Sequence, residues 1–263
     1  MKKTLLTSMW LTLFSSGSAL AHIPYLAPST FEPVRGGWVA LDAAFADKFF
    51  IPEAVFDNSQ FVVVSPDGLR KPLEQVFYSK IRATADYQLS AEGTYRFSTG
   101  RRFGAVFRTY ELDGKRHSLR DPEAELPAGA KPIAHFQAVT HAETYVSKGA
   151  PDTAALVPHN EGLEFQFISH PNDLYADSAV RLRVLFDGKP LADQNISVYR
   201  VAKETDDENA TYTLKSDKKG EVSFKPELAG SYLLLSRYRK AAPENAGVPE
   251  YSHSYTVVVD VTP

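Results

Sequence analysis

Short runs of alternating apolar and polar residues recur along most of this chain, and turn residues separate them. Val180, Leu182 and Val184 alternate with Arg181 and Arg183, the two-residue period of a strand with one buried face. Residues 93–98 alternate in the same way. The β-branched run at 61–64 passes into Ser65-Pro66-Asp67-Gly68, a strong turn signal. Asp113-Gly114 follows the alternating stretch 105–110 and predicts a tight hairpin with a type I′ turn. Further strands are predicted at 38–45, 72–78, 134–146, 163–168, 196–201, 211–215, 221–225, 231–236 and 254–261. Residues 118–132 are polar and Pro-rich and predict a long loop. No window of the mature chain has the 3.6-residue period of an amphipathic helix.

The pattern pauses once. Residues 151–162 contain Pro151 and Pro158 and follow Gly149, which predicts a boundary between two β units. The expected organisation is an N-terminal β domain at 22–150, a linker at 151–162 and a C-terminal β domain at 163–263. The fold class is therefore all-β, with two β-sandwich-like domains. The density of short strands in the second half predicts an immunoglobulin-like or transthyretin-like sandwich there.

The first 21 residues do not fit this pattern. Lys2 and Lys3 precede an apolar stretch from Leu5 to Phe14, and small residues lead to Ala19-Leu20-Ala21. This is a signal peptide with an A-x-A cleavage site after Ala21, and it is shorter than the roughly 20 residues needed to span a bilayer. Export to a bacterial periplasm follows, with no transmembrane segment in the mature chain. The chain has no cysteine, which excludes a lipidated N-terminus, disulfides, thiolate ligands and a thiol nucleophile. A net charge of −3 gives no basic footprint for nucleic acid.

Cleavage after Ala21 makes His22 the first residue. Its α-amine and imidazole can then close a chelate ring on one ion, and nitrogen donors of this kind suit Cu, Ni, Co or Zn. The next residues, Ile23-Pro24-Tyr25-Leu26, are apolar enough to tie the new terminus into the core. A second ligand is needed. His253, placed at the start of the last strand, and His170, in a loop before Pro171, are the first candidates. The others are His117, His135, His141 and His159. His135 and His141 are six apart on one strand face, about 20 Å, too far to share an ion. His159 and Glu161 fall in the predicted linker, where a cleft is expected. Arg101-Arg102 and Lys115-Arg116 flank the hairpin and could meet an anion, but a solvated charged face accounts for them better. No Gly-rich phosphate loop, H-E-x-x-H or G-x-S-x-G motif is present, and no catalytic residue is assigned.

Several segments together resemble one family. His22-Ile23-Pro24-Tyr25-Leu26-Ala27-Pro28 is similar to the His-x-x-x-Leu-x-Pro opening of periplasmic proteins called domain of unknown function 4198. Phe49-Phe50-Ile51-Pro52, Val64-Ser65-Pro66-Asp67-Gly68, Gly93-Thr94-Tyr95-Arg96, residues 143–151, Leu163-Glu164-Phe165, residues 186–191 and His253-Ser254-Tyr255-Thr256 follow in the same order. The resemblance implies a periplasmic β protein and an association with nickel or cobalt uptake. It carries no role for His170, whose surroundings depart from the family's pattern. The second half also resembles carboxypeptidase-regulatory-like β-sandwich modules.

The expected function is that of a non-enzymatic periplasmic accessory of metal uptake. It would bind one transition-metal ion or its complex through His22, with His253 or His170, and work with an outer-membrane receptor or an inner-membrane transporter. Two other readings stand beside it. One is a metal-free interaction module for an envelope receptor or glycan. The other is a copper oxidase built on a histidine brace, which needs more ligands and an open position.

Overall fold

Nineteen strands run through the described part of a computed structural model, which covers residues 22–48, 50–119, 121, 123–201 and 210–263. The expected signal peptide, 1–21, lies outside the described residues. The first half holds β1 (Ile23–Pro28), β2 (Trp38–Ala46), β3 (Ala54–Val55), β4 (Val62–Val64), β5 (Arg70–Pro72) and β6 (Phe77–Tyr78). It continues with β7 (Ala83–Gln88), β8 (Gly93–Ser98), β9 (Arg102–Leu112), β10 (Lys115–Ser118) and β11 (Lys131–Lys148). After a single 3-10 turn at Ala154–Leu156, the second half holds β12 (Leu163–Phe167), β13 (Val180–Phe186), β14 (Lys189–Pro190) and β15 (Asn195–Arg200). It ends with β16 (Tyr212–Lys215), β17 (Glu221–Phe224), β18 (Gly230–Ala241) and β19 (Glu250–Val261). Among the described residues there is no α-helix, and no helix is long and apolar enough to cross a membrane.

Most predicted strands are present, and the local chemistry explains them. In β13, Val180, Leu182 and Val184 are buried, while Arg181 is exposed and Arg183 half-buried. Asp113 and Gly114 both have positive φ, 53° and 70°, the backbone a type I′ turn requires. The short strands β3 and β14 were not predicted, and neither were two longer ones, β1 and β7. β1 buries Pro24, Tyr25 and Leu26 in succession, without alternation. β7 alternates, but of its inward residues Ala83, Ala85 and Tyr87 the two fully buried ones are alanines, too small to mark a strand by hydropathy.

Among the described residues the strands form three sheets. A five-stranded sheet, β1-β2-β7-β6 with β3 beside β2, packs on β4, β8 and β11 around Leu26, Leu41, Phe56, Val63 and Phe97. A four-stranded sheet of β12, β13, β14 and β17 packs on β15, β18 and β19 around Phe165, Leu182, Ile196, Leu234 and Val257. The large partner in both sandwiches is one ten-stranded sheet. At its centre β11 and β19 run parallel, from Phe136 opposite Glu250 to Thr144 opposite Val258. Parallel neighbours need a long crossover, and here most of the second half lies between them. A third cluster joins the sandwiches, with Tyr25 and Ala44 against Leu233, Leu235 and Val258. Truncating a fully buried core side chain such as Leu182 is expected to cost about 2–5 kcal/mol.

Residues 151–162, expected as a linker, lie across β8. Arg96 donates from Nη1 to the Val157 carbonyl at 2.9 Å, and Asp152 donates its backbone N–H to Thr94 Oγ1 at 3.1 Å. These contacts fix the segment over the polar face of the large sheet.

Candidate functional site

Among the described residues, two clusters bring three histidine and carboxylate donors together. The first is the corner at the start of β1. The antiparallel register sets Ile23 opposite Ala46, so the next residue outward, His22, meets the end of β2 at Asp47. β3 pairs with β2 through Phe45 and Ala54, and Glu53 donates its backbone N–H to the Phe45 carbonyl at 2.9 Å. That pairing turns Glu53 toward the same corner. His22 Nε2 stands 3.1 Å from Glu53 Oε2 and 3.5 Å from Asp47 Oδ1. Asp47 Oδ1 is shielded from water and accepts no hydrogen bond. The strand behind the corner is rigidly seated: Tyr25 and Leu26 are fully buried, and Thr256 Oγ1 donates to the Pro24 carbonyl at 2.9 Å. The apolar run after His22 therefore ties this end into the core, as its sequence implied.

The second cluster lies under the 151–162 segment. His141 and Glu143 are two apart on β11 and share a face. Across the sheet Glu143 opposes Ser98, Tyr145 opposes Arg96, and His141 opposes Tyr255. Six polar side chains therefore line one patch of the sheet. His159 closes it from above. Its turn is held by Glu164, which accepts the backbone N–H groups of His159 at 2.7 Å and Asn160 at 2.8 Å. His159 Nε2 lies 2.6 Å from Glu143 Oε1, and Arg96 Nη2 lies 3.4 Å from His159 Nδ1. Because Arg96 can only donate, Nδ1 is the acceptor and Nε2 carries the proton given to Glu143. Tyr255 donates its hydroxyl to Glu143 Oε2.

Electrostatics follow from this crowding. Burial alone would raise the Glu143 carboxyl, but His159, Arg96 and His141 overcome it and hold it well below the usual carboxylate range. Burial pushes the His141 imidazole down, against the pull of Glu143. Burial and then Glu143 push the Tyr255 hydroxyl well up. Glu143 is thus ionised and His141 and Tyr255 are neutral at pH 7. Ser98 Oγ and Glu143 Oε1 both face His141 Nε2, at 2.6 and 3.3 Å, while Nδ1 has no partner. A nucleophile–base–acid relay needs its two partners on opposite ring nitrogens, so these three residues do not form one.

The other sequence candidates stand elsewhere. His253 lies inside β19, three residues past its start at Glu250. Its ring meets Phe186 edge-on at 5.1 Å and Tyr251 at 6.1 Å, and burial, eased by Asp187, pushes its pKa down to about 4. His170 Nε2 lies 2.7 Å from the Asp152 carbonyl and 3.2 Å from Thr94 Oγ1, and its Nδ1 accepts the Asn172 N–H at 3.1 Å. His170 pins a loop to the sheet. Neither histidine belongs to the His22 cluster. The donors that do, Asp47 and Glu53, left no motif, because strand register alone brings them in. His141 and Glu143 carried a readable signal, an i, i+2 pair on one strand, whose meaning depended on His159.

The fold and its corners define a two-sandwich β protein with an imidazole–carboxylate group at the edge of a rigid strand. The chain belongs to the family described as Domain of unknown function (DUF4198), whose model matches residues 19–240, as the motif order implied. No curated protein shows significant similarity to it. Among solved structures it is similar to the D0-D1 domain of intimin, at 11% identity and TM-score 0.24, covering 90% of this chain and 97% of that one. The adhesin InvE of Yersinia pseudotuberculosis matches at 12% and 0.22, over 91% and 61%. A marsupial T cell receptor matches at 10% and 0.22, over 92% and 74%.

Proposed function

We propose that this chain is an exported periplasmic accessory of transition-metal uptake, and that the His22–Asp47–Glu53 corner holds the ion. The observation that carries this reading is the approach of His22 Nε2 to two carboxylates, at 3.1 and 3.5 Å. Imidazole and carboxylate without thiolate suit Zn, Ni, Co or Cu(II). The two acids supply carboxylate oxygens for a divalent ion beside the imidazole nitrogen. The His22 side chain is 45% exposed and that of Glu53 40%. An ion held there stays open to exchange, which suits capture and handover. The nickel or cobalt uptake that the sequence resemblance implies is a role of the same kind.

Two arrangements use these side chains. In the first, Nε2, Asp47 and Glu53 are the ligands. In the second, the amine freed by cleavage after Ala21 and the ring's Nδ1 chelate the ion, while Nε2–H donates to the carboxylates, a common support for histidine ligands. The 3.1 Å separation from Glu53 lies within hydrogen-bond range and supports the second as well. A histidine brace would need a second histidine at the corner, and the donors beside His22 are acids.

Calorimetric titration of the processed protein with nickel, cobalt, zinc and copper tests the proposal. One ion per chain is expected, with affinity about 10–100-fold weaker in His22→Ala and in the Asp47→Asn, Glu53→Gln double variant. One extra residue before His22 preserves binding in the first arrangement and abolishes it in the second. Equal binding in wild type and His22→Ala overturns both. Failure of every metal to bind leaves the sandwiches as an interaction module for an envelope receptor or glycan.

A further inference from the structure

Above the buried cluster the 151–162 segment and the large sheet enclose a cavity of about 390 Å³, within the range of small-molecule sites. Its polar lining is mostly cationic or basic. Arg70, Arg96 and Arg101 contribute three guanidinium groups, and His141 and His159 contribute imidazoles. Glu161 is the acid on the lining; its side chain is 65% exposed and pairs with Arg101 at 3.2 Å. Glu143 sits beneath with no exposure and is committed to Tyr255 and His159. Arg70 makes no ion pair among the described residues. Arg96 Nε is buried without a hydrogen-bond partner, with Glu143 Oε1 at 4.0 Å. The remaining walls include Val64, Val157 and Pro158.

These features select the sign of the occupant. A divalent cation on His141, Glu143 and His159 would sit against the Arg96 guanidinium, and Glu143 has no charge left to neutralise it. His159 would also have to give up the Nε2 proton that its contact with Arg96 fixes there. An anion meets the opposite situation. Guanidinium forks match carboxylate oxygens in pairs, and the apolar walls suit a carbon skeleton better than a bare inorganic ion.

We propose that this cavity binds a small organic anion carrying two or three carboxylates, held by Arg70 and Arg101 at the rim and Arg96 at the floor. The site is separate from the His22 corner and does not depend on a metal there. Glu161 competes with the ligand for Arg101, so binding exchanges one ion pair at the rim for another.

The test uses the full mature chain stripped of metal with EDTA and titrated with tricarballylate, a tricarboxylate that chelates metals weakly. Saturable binding is expected. Arg70→Ala and Arg101→Ala each weaken it by about tenfold, the scale of one charge-assisted contact. Both residues are exposed, so the variants keep the fold. Glu161→Gln tightens binding, a gain that a merely structural role would not produce. Inorganic phosphate binds more weakly than tricarballylate. No binding at 10 mM, indifference to the two arginine variants, or phosphate binding as tightly as the tricarboxylate overturns the proposal. Asp47→Asn leaves tricarballylate binding unchanged, so this result stands or falls apart from the metal corner.

Discussion

The two histidine–carboxylate clusters use the same donor types and face opposite demands. At the strand-end corner one imidazole meets two partly exposed carboxylates. Under the 151–162 segment two imidazoles share one carboxylate that has no solvent exposure and already serves a guanidinium and a phenol. The first has negative charge to spare, and the second has none. Ligand atoms in reach of one another are therefore not sufficient for a cation site; the charge that surrounds them decides. The same contrast separates function from stability, since an exposed pair contributes little to folding and a buried one is costly to break.

Breaking the buried cluster sharpens this contrast most. Glu143→Ala leaves Arg96 buried without its counter-charge and is expected to lower stability by about 3–5 kcal/mol in chemical denaturation. Asp47→Asn at the corner should change it by less than about 0.5 kcal/mol.

Acid provides the next largest effect. Burial pushes the folded-state pKa of His253 down to about 4, below the ordinary imidazole value near 6.5, so the unfolded chain takes up the proton first. Stability from neutral His253 is complete above pH 6.5 and is lost as pH falls toward 4, by about 3 kcal/mol in all. His253→Phe, which keeps a ring against Phe186, should flatten the denaturation midpoint across that window. Glu143 works in a different window. Its folded pKa is depressed, so its contribution is present above its ordinary range near 4.5 and disappears only as pH falls below that. Acid loss confined to the region below pH 4.5 in wild type would contradict the His253 assignment.

Glu164→Gln gives a smaller change. It weakens the two contacts that hold the His159 turn, at about 1–2 kcal/mol. Hydrogen exchange should quicken at the His159 and Asn160 amides and remain slow in β11.

Strand pattern made the fold class legible. Val180, Leu182 and Val184 identify β13, and Asp113-Gly114 identifies the β9–β10 hairpin, because these signals are local. β7 stayed hidden because its buried residues are alanines. The parallel pairing of β11 with β19 stayed hidden because it joins residues more than 100 positions apart, which no local period encodes. His22 stood out in the sequence because cleavage is expected after Ala21. Its neighbours were expected to be His253 or His170, yet Asp47 and Glu53 stand there, because the register of three strands sets that corner. His253 instead fills an aromatic pocket, and His170 secures a loop.

The most direct measurement titrates paramagnetic nickel or cobalt into the processed protein while the imidazole signals of all mature-chain histidines are followed by NMR. The account predicts that the His22 resonances broaden first and saturate at one equivalent, with His141 and His159 unchanged at that point. Broadening of His141 and His159 ahead of His22 would show that the buried cluster is the cation site and that the charge argument is wrong.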